Sequence, residues 1–255
     1  MLIDAGGFAR SRFDVGAKVV APALRALGLL KIDILAVTHA HRDHLGGAGA
    51  ILRSFSPGAV WLGRMPGDEA AVAALLREAA ERQIPVVFPR RGVRLFLGGA
   101  GVEVLNPGRG VECAGPAKND DSLVLRLSFR GRSVLLTGDL KAAIEAVLVR
   151  DGSDLQADLL KVGHHGSRTS TTETFLRQVR PRLGAISVGS TNPWGHPDAE
   201  VVRRLEGAGV AVYRTDRDGA VSFTTDGLSP WRPVRLRDGD AREPPGLKTT
   251  AGSQE

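Results

Sequence analysis

The sequence predicts a mixed α+β domain whose chemistry gathers at strand ends, and three observations carry that prediction. Short apolar runs, such as Ile32-Asp33-Ile34-Leu35-Ala36-Val37 and Leu159-Leu160-Lys161-Val162, alternate with stretches whose apolar residues recur at helical spacing. Each of those two runs leads directly into a polar loop rich in histidine and glycine, the arrangement by which α/β folds place functional groups beyond strand ends. The chain is 255 residues long, 42% hydrophobic and 24% charged, an ordinary globular composition with enough material for a sizeable core.

Residues 1–4 read as a strand closed by the turn Asp4-Ala5-Gly6-Gly7. Over residues 19–27, Val19, Val20, Ala23, Leu24 and Leu27 form a helical stripe, with Pro22 tolerable only in a first turn and Gly28 closing it. Residues 32–37 form a buried strand, 48–55 a short helix, and 59–62 a strand after the turn Pro57-Gly58. Asp68 is expected to cap a helix running to about Gln83, with Val72, Leu75, Leu76 and Ala79 on one face. Strands follow at 86–88, 94–97 and 102–105, and the aperiodic stretch 106–121 reads as a mobile flap. Residues 123–129 and 133–137 flank Arg130-Gly131-Arg132 as a hairpin. A helix at 144–149 and a strand at 159–162 come next, and then Ser170-Thr171-Thr172-Glu173 shows capping-box spacing for a helix through Val179. Residues 183–188 form a strand and 198–208 a helix; 210–213 and 220–224 are expected to pair around Asp216-Arg217-Asp218-Gly219. Beyond Gly227 the composition turns to Pro, Arg and Gly, so 1–226 is expected to fold and 227–255 to be a disordered tail.

The single cysteine, Cys113, excludes an internal disulfide and a thiolate metal cluster. No apolar run approaches a membrane span, and residues 1–7 lack the features of a signal peptide, so the chain as written is expected to be soluble. A formal charge of +6 favours acidic partners, nucleic acid or an anionic membrane surface.

Within Thr38-His39-Ala40-His41-Arg42-Asp43-His44-Leu45-Gly46-Gly47 lie three imidazoles and a carboxylate. In extended backbone, residues two apart point the same way, so His39 and His41 can reach one metal, while Asp43 and His44, past the turn, aim at a second. These donors suit Zn²⁺, Mn²⁺ or Fe²⁺. Asp139, in Thr137-Gly138-Asp139, also follows a strand; read alone it is a ligand or a helix cap. His164 and His165 sit together at another strand end, and His196 lies in Trp194-Gly195-His196-Pro197, as a phosphate-facing group or as a loop residue packed on Trp194.

The motif from Thr38 to Gly47 resembles the metal-binding signature of metallo-β-lactamase-fold hydrolases. That resemblance implies a four-layer αββα sandwich with two divalent metal ions, Mn or Zn. It also implies that Asp139 bridges them and that one of His164 and His165, with His164 favoured, joins Asp43 and His44. Asp4 would then support the metal loop, unless it is simply a turn residue. The histidine that most of the superfamily carry between the first motif and the bridging aspartate is absent. Lys118-Asn119-Asp120-Asp121 stands there, so either Asp120 or Asp121 substitutes, or one metal keeps open positions.

Asn-Asp-Asp-Ser-Leu-Val-Leu, Leu-Leu-Thr-Gly-Asp-Leu, Leu-Lys-Val-Gly-His-His-Gly-Ser and Gly-His-Pro follow in order, with Tyr213-Arg214-Thr215-Asp216 and Asp218-Gly219-Ala220 after them. The series is similar to the hydrolase domain of ComEC-family competence proteins. The resemblance implies a nuclease acting on DNA, single-stranded in the first instance, during DNA uptake. It further implies attachment to a membrane channel protein or to the membrane region of a longer chain. Two features of the family are not matched: membrane segments, and an initial strand carrying Asp-Val-Gly-Gln-Gly-Asp, whose absence would leave a sheet edge uncovered. On this reading Asp43 and His196 are catalytic, and His39, His41, Asp43, His44, Asp139 and His164 bind metal. His165, Ser167 and His196 face substrate. Ser167, Arg168 and Thr169 serve phosphate binding or helix capping equally well, and Lys161 and Arg42 add positive field. The competing expectations are a thioester or lactone hydrolase using the same centre, and a DNA-binding module without turnover. The sequence does not indicate an oligomeric state.

Overall fold

A computed structural model describes residues 1–8, 11–65, 70–108 and 119–236. Two sheets stack between two helical layers. The first is all parallel, in the order β1 (Leu2–Ile3), β2 (Ile34–Val37), β3 (Ala59–Leu62), β4 (Val86–Val87), so β1 is an outer strand. The second holds β5 (Arg94–Leu97), β6 (Ala100–Asn106), β7 (Val124–Phe129), β8 (Arg132–Leu136), β9 (Leu159–Lys161), β10 (Leu183–Ile186) and β11 (Ala211–Arg214), in the spatial order β11-β10-β9-β8-β7-β6-β5. Its hairpin half, β5 to β8, is antiparallel, and β8 to β11 run parallel. The helices are α1 (Ala21–Ala26), α2 (Arg42–Leu45), α3 (Ala48–Phe55), α4 (Ala70–Glu81), α5 (Ala142–Arg150), α6 (Glu173–Val179), α7 (Ala199–Gly207) and α8 (Thr215–Asp218).

Strand alternation explains the layering. Ile34 and Ala36 of β2 and Trp61 of β3 meet Val102, Val104, Leu123 and Leu125 between the sheets. The residues between them, Leu35, Val37, Val60 and Leu62, turn the other way onto Ile51, Leu52, Val72, Leu75 and Ala79 of the outer helices. On the far side, Val124, Leu135, Leu160 and Ile186 pack against Leu148, Phe175, Leu176, Val201 and Leu205. Each fully buried Leu or Phe contributes about 1.5–3 kcal/mol by leaving water. This is the αββα order that the motif implied.

Several local expectations change. The helix predicted over 19–27 begins earlier, as a π-helical turn over Gly16–Val20, which places Pro22 in the first turn of α1. The cap of α6 is Thr172, whose hydroxyl accepts from the Phe175 amide at 3.3 Å; Ser170 instead donates to the Leu140 carbonyl at 2.7 Å. The two strands expected to pair with each other do not. β11 lies beside β10, whereas β12 (Ala220–Thr224) pairs antiparallel with β13 (Arg232–Leu236). β13 thus lies inside the stretch expected to be a disordered tail, and the ordered chain runs past residue 226. Asp68, Cys113, Lys118, most of the expected flap and residues 237–255 lie outside the described residues. Among the described residues, no helix is long and apolar enough to cross a membrane.

Candidate metal centre

Four loops, each leaving the carboxyl end of a strand, converge at one edge of the sandwich. After β2, His39 and His41 lie with ring centroids 4.5 Å apart, as alternation requires. His41 adopts extended backbone and caps the single turn of α2, which folds Asp43 and His44 back toward them; the His39 and His44 rings are 4.2 Å apart. This turn is held by glycines. A Cβ on Gly47 would overlap the Ala5 carbonyl and the backbone of Gly16, so only glycine lets the residue 5–7 turn cross the metal loop. The Gly47 amide donates to the Gly6 carbonyl, and the Ala5 amide to that of His44, both at 2.9 Å.

Asp139, 2% exposed, stands in the middle. Its carboxylate lies 3.3 Å from His44 Nε2, 3.4 Å from His165 Nε2, 3.8 Å from His39 Nε2 and 3.9 Å from His164 Nε2. Its amide donates to Ser122 Oγ at 3.0 Å, which anchors the loop after β8. Asp43 Oδ2 reaches His165 Nε2 at 3.2 Å and His44 Nε2 at 3.6 Å. Donor atoms of Asp43, His44, Asp139 and His165 all lie within 4.8 Å of one another.

The Nδ1 atoms of His39, His44 and His165 are committed elsewhere, which aims their Nε2 atoms at the cluster. Asp4 Oδ2 accepts from His44 Nδ1 at 2.7 Å and from the Thr38 hydroxyl at 3.0 Å, leaving Thr38 Oγ1 to accept from His39 Nδ1 at 3.1 Å. His165 Nδ1 donates to the Ser187 carbonyl at 2.7 Å. Such outer partners fix tautomer and ring orientation in metal sites. Asp4 is therefore a support for the metal loop, and its left-handed backbone (φ 60°) turns the carboxylate toward Thr38 and His44.

The cluster is electrostatically tense. Burial and the neighbouring His44 push His39 down to about 3. Burial also works against a charged His44, but Asp4 and Asp139 outweigh it and raise this imidazole to about 10. His165 behaves likewise, lowered by burial yet held at about 9 by Asp139 and Asp43. Against its own burial, Asp139 is kept far below the carboxylate range by the His165 and His44 imidazoles, at 3.4 and 3.3 Å. His39 Nε2, His44 Nε2 and Asp139 Oδ1 are buried without a hydrogen-bond partner. Orphaned buried lone pairs beside carboxylates are expensive unless something cationic satisfies them, and imidazole with carboxylate is a zinc- or manganese-type donor set.

Residues 1–190 match the metallo-beta-lactamase superfamily. The chain belongs to the metallo-β-lactamase superfamily. It is also 35% identical over 212 residues to ComE operon protein 3 of Bacillus subtilis and 33% identical over 217 residues to competence protein ComA of Neisseria gonorrhoeae. Recombination protein 2 of Haemophilus influenzae is 32% identical over 223 residues. Each alignment covers 83% of this chain but only 27%, 28% and 26% of those proteins, so the chain spans about a quarter of the length of the relatives it matches.

The two adjacent histidines, either of which was expected to join the centre with His164 favoured, are placed differently. His165, and not His164, groups with Asp43, His44 and Asp139. Both residues are left-handed (φ 47° and 53°), and this double turn sends the two rings apart, with centroids 6.3 Å from each other. His164 Nε2 accepts from the Asn119 amide at 2.8 Å, and its ring faces His196 at 5.6 Å. Neither candidate substitute for the missing superfamily histidine faces the centre: Asp121 pairs with Arg64 at 3.0 Å, and Asp120 accepts from the Lys141 amide at 3.0 Å. Buried Asn119 is the residue this loop brings near the histidines; the sequence marked it only as one letter of a polar run. Ser167, expected to face substrate, is buried and bonds Thr169 Oγ1 at 3.0 Å, while Thr169 touches His164 Nδ1 at 3.3 Å. Its hydroxyl supports the turn. His196 is held by Asn192, which accepts from its amide at 2.9 Å, and Trp194 stands 78% exposed.

Proposed function

We propose that the chain is a metal-dependent phosphodiester hydrolase acting on single-stranded DNA, in the context of DNA uptake. One observation carries this reading: the buried Asp139 carboxylate lies 3.3 Å from His44 Nε2, 3.4 Å from His165 Nε2 and 3.8 Å from His39 Nε2, with Asp43 grouped beside His44 and the His41 ring beside His39. One ion would be held by His39, His41 and Asp139, the other by Asp43, His44, Asp139 and His165. Such a cation pair supplies Lewis acidity toward a phosphoryl oxygen and makes hydroxide available at neutral pH. The set holding His39 and His41 has fewer protein donors, which suits a position where substrate enters. His164 and His196 flank the centre and are suited to hydrogen-bonding a phosphate oxygen and to taking up a proton. Burial lowers both, His164 to about 4, so each is neutral at pH 7 and can accept or relay a proton. The choice of DNA is supported by the names of two relatives, one called a competence protein and one a recombination protein.

The test is hydrolysis of labelled single-stranded DNA with Mn²⁺, Zn²⁺ or chelator, using wild type and His41→Ala. Cleavage that needs metal and disappears in the variant is expected. Folded, metal-loaded protein that leaves DNA intact would overturn the nuclease reading and turn attention to thioesters and lactones.

A further inference from the structure

The strands β8, β9 and β10 run parallel, and all three feed the metal centre from their carboxyl ends. Their amino ends carry a different feature. The β7–β8 turn, the lead into β9 and the lead into β10 enclose a cavity of about 480 Å³, lined by Arg126, Arg130, Arg132, Arg180 and Arg182, with Asp158 as its acidic member. The five residues of β8 separate its two ends by about 17 Å.

The guanidiniums are differently engaged. Arg132 is braced by Asp158 at 3.3 Å and by the Leu228 and Ser229 carbonyls at 2.8 and 3.0 Å. Arg126 donates to the Gln156 carbonyl at 2.9 Å and pairs with Asp154 at 3.3 Å. Arg130 lies over the Phe129 ring and contacts the Asp226 carbonyl at 3.3 Å. Arg180 donates to Gln156 Oε1 at 3.0 Å, a neutral partner. Arg182 has no side-chain partner among the described residues. Five guanidiniums thus stand against one lining carboxylate, Asp158, and Asp154 beside Arg126, so the surplus is positive. Guanidinium forks match phosphate oxygens bidentately, and a cavity of this size takes a nucleotide-sized group.

We propose that this arginine cavity is a second anion site that binds the phosphodiester backbone of single-stranded nucleic acid at the end of the domain opposite the metal centre. Concavity and guanidiniums converging from three segments favour a discrete phosphate of a polymer over a lipid surface, which would press against a flatter, coplanar array. The cavity's preference for anions stands on its own residues; the choice of nucleic acid as the polyanion rests on the proposed function.

The experiment is fluorescence anisotropy of a labelled oligothymidylate with the whole chain in chelator, where no turnover occurs. Arg180→Ala, Arg182→Ala and their combination are compared with Arg203→Ala, an exposed α7 control for loss of charge alone, with Tm confirming the fold. Each cavity substitution is expected to weaken binding about tenfold and to lower the slope of log affinity against log salt by about 0.7, while the control changes little. The same losses should appear in an Asp139→Ala background. Unchanged affinity in the double variant overturns the proposal. So does Arg182-dependent binding to phosphatidylglycerol vesicles without oligonucleotide binding. Loss of cleavage with intact Arg182-dependent binding would count against the nuclease alone.

Discussion

The two histidine loops reach the same centre by different means. In the loop after β2, His39 and His41 are two residues apart, so extended backbone alone sets their rings side by side, and Asp4 with Thr38 locks the nitrogens. In the loop after β9, His164 and His165 are adjacent, and two consecutive left-handed residues decide which enters. That conformation costs about 1–2 kcal/mol per residue outside glycine, so it must be held by what surrounds it. Here the Ser187 carbonyl, Asn119 and Thr169 hold it. The difference teaches that spacing specifies ligands where backbone is regular, and that tertiary contacts specify them where it is not.

Removing the shared carboxylate should erase the distinction between the loops. Asp139→Ala is expected to lower turnover by about a thousandfold or more and to lose bound metal, read by elemental analysis after desalting. Next in size, His165→Ala should lose metal held on its side of the centre, while His164→Ala keeps its metal and loses rate; the reverse pattern would mean that the adjacent pair is assigned the wrong way round. Asp4→Asn keeps shape and removes charge, and should weaken metal affinity about 10–100-fold in isothermal titration.

The pH dependence separates the loops further. His44 and His165 are raised, to about 10 and about 9, so at pH 7 both carry a proton on metal-free protein and metal uptake must displace it. Proton release on titrating chelator-treated protein in weak buffer should therefore fall as pH rises from 7 to 10. A raised imidazole contributes stability that is full below its unfolded value near 6.5 and lost as pH passes the folded one. The Tm of metal-free protein should accordingly drop toward pH 10, and metal should abolish the drop. Smallest is the cap on α6: Thr172→Ala should cost about 1 kcal/mol in denaturant unfolding.

Much of this was legible in the residues. The strands at 34–37, 59–62 and 159–161 and the helix at 48–55 follow from apolar runs and helical spacing. His39, His41, Asp43, His44 and Asp139 are named by strand-end position together with the motif. What was not legible depends on contacts distant in sequence. The choice of His165 rests on a carbonyl 22 residues away, and the part of Asn119 on a ring 45 residues away. Asp120 and Asp121 have ligand chemistry, but the Lys141 amide and Arg64, both distant in sequence, engage them. β13 was hidden because Arg232, Pro233 and Arg235 read as tail composition, and its place beside β12 is fixed by pairing with residues 220–224.

The crossing of the residue 5–7 turn over the metal loop has a thermodynamic consequence. β1 is held to its neighbour by a ladder only two residues long, yet Asp4, which follows it, orients His44. Docking of this segment and loading of the centre are therefore linked equilibria, and linkage is reciprocal. Whatever loosens β1 lowers metal affinity by the same factor by which bound metal lowers the equilibrium population of opened β1. Hydrogen exchange at Asp4 and Ala5, whose amides donate to the Ala36 and His44 carbonyls, becomes a gauge of metal occupancy read from outside the centre.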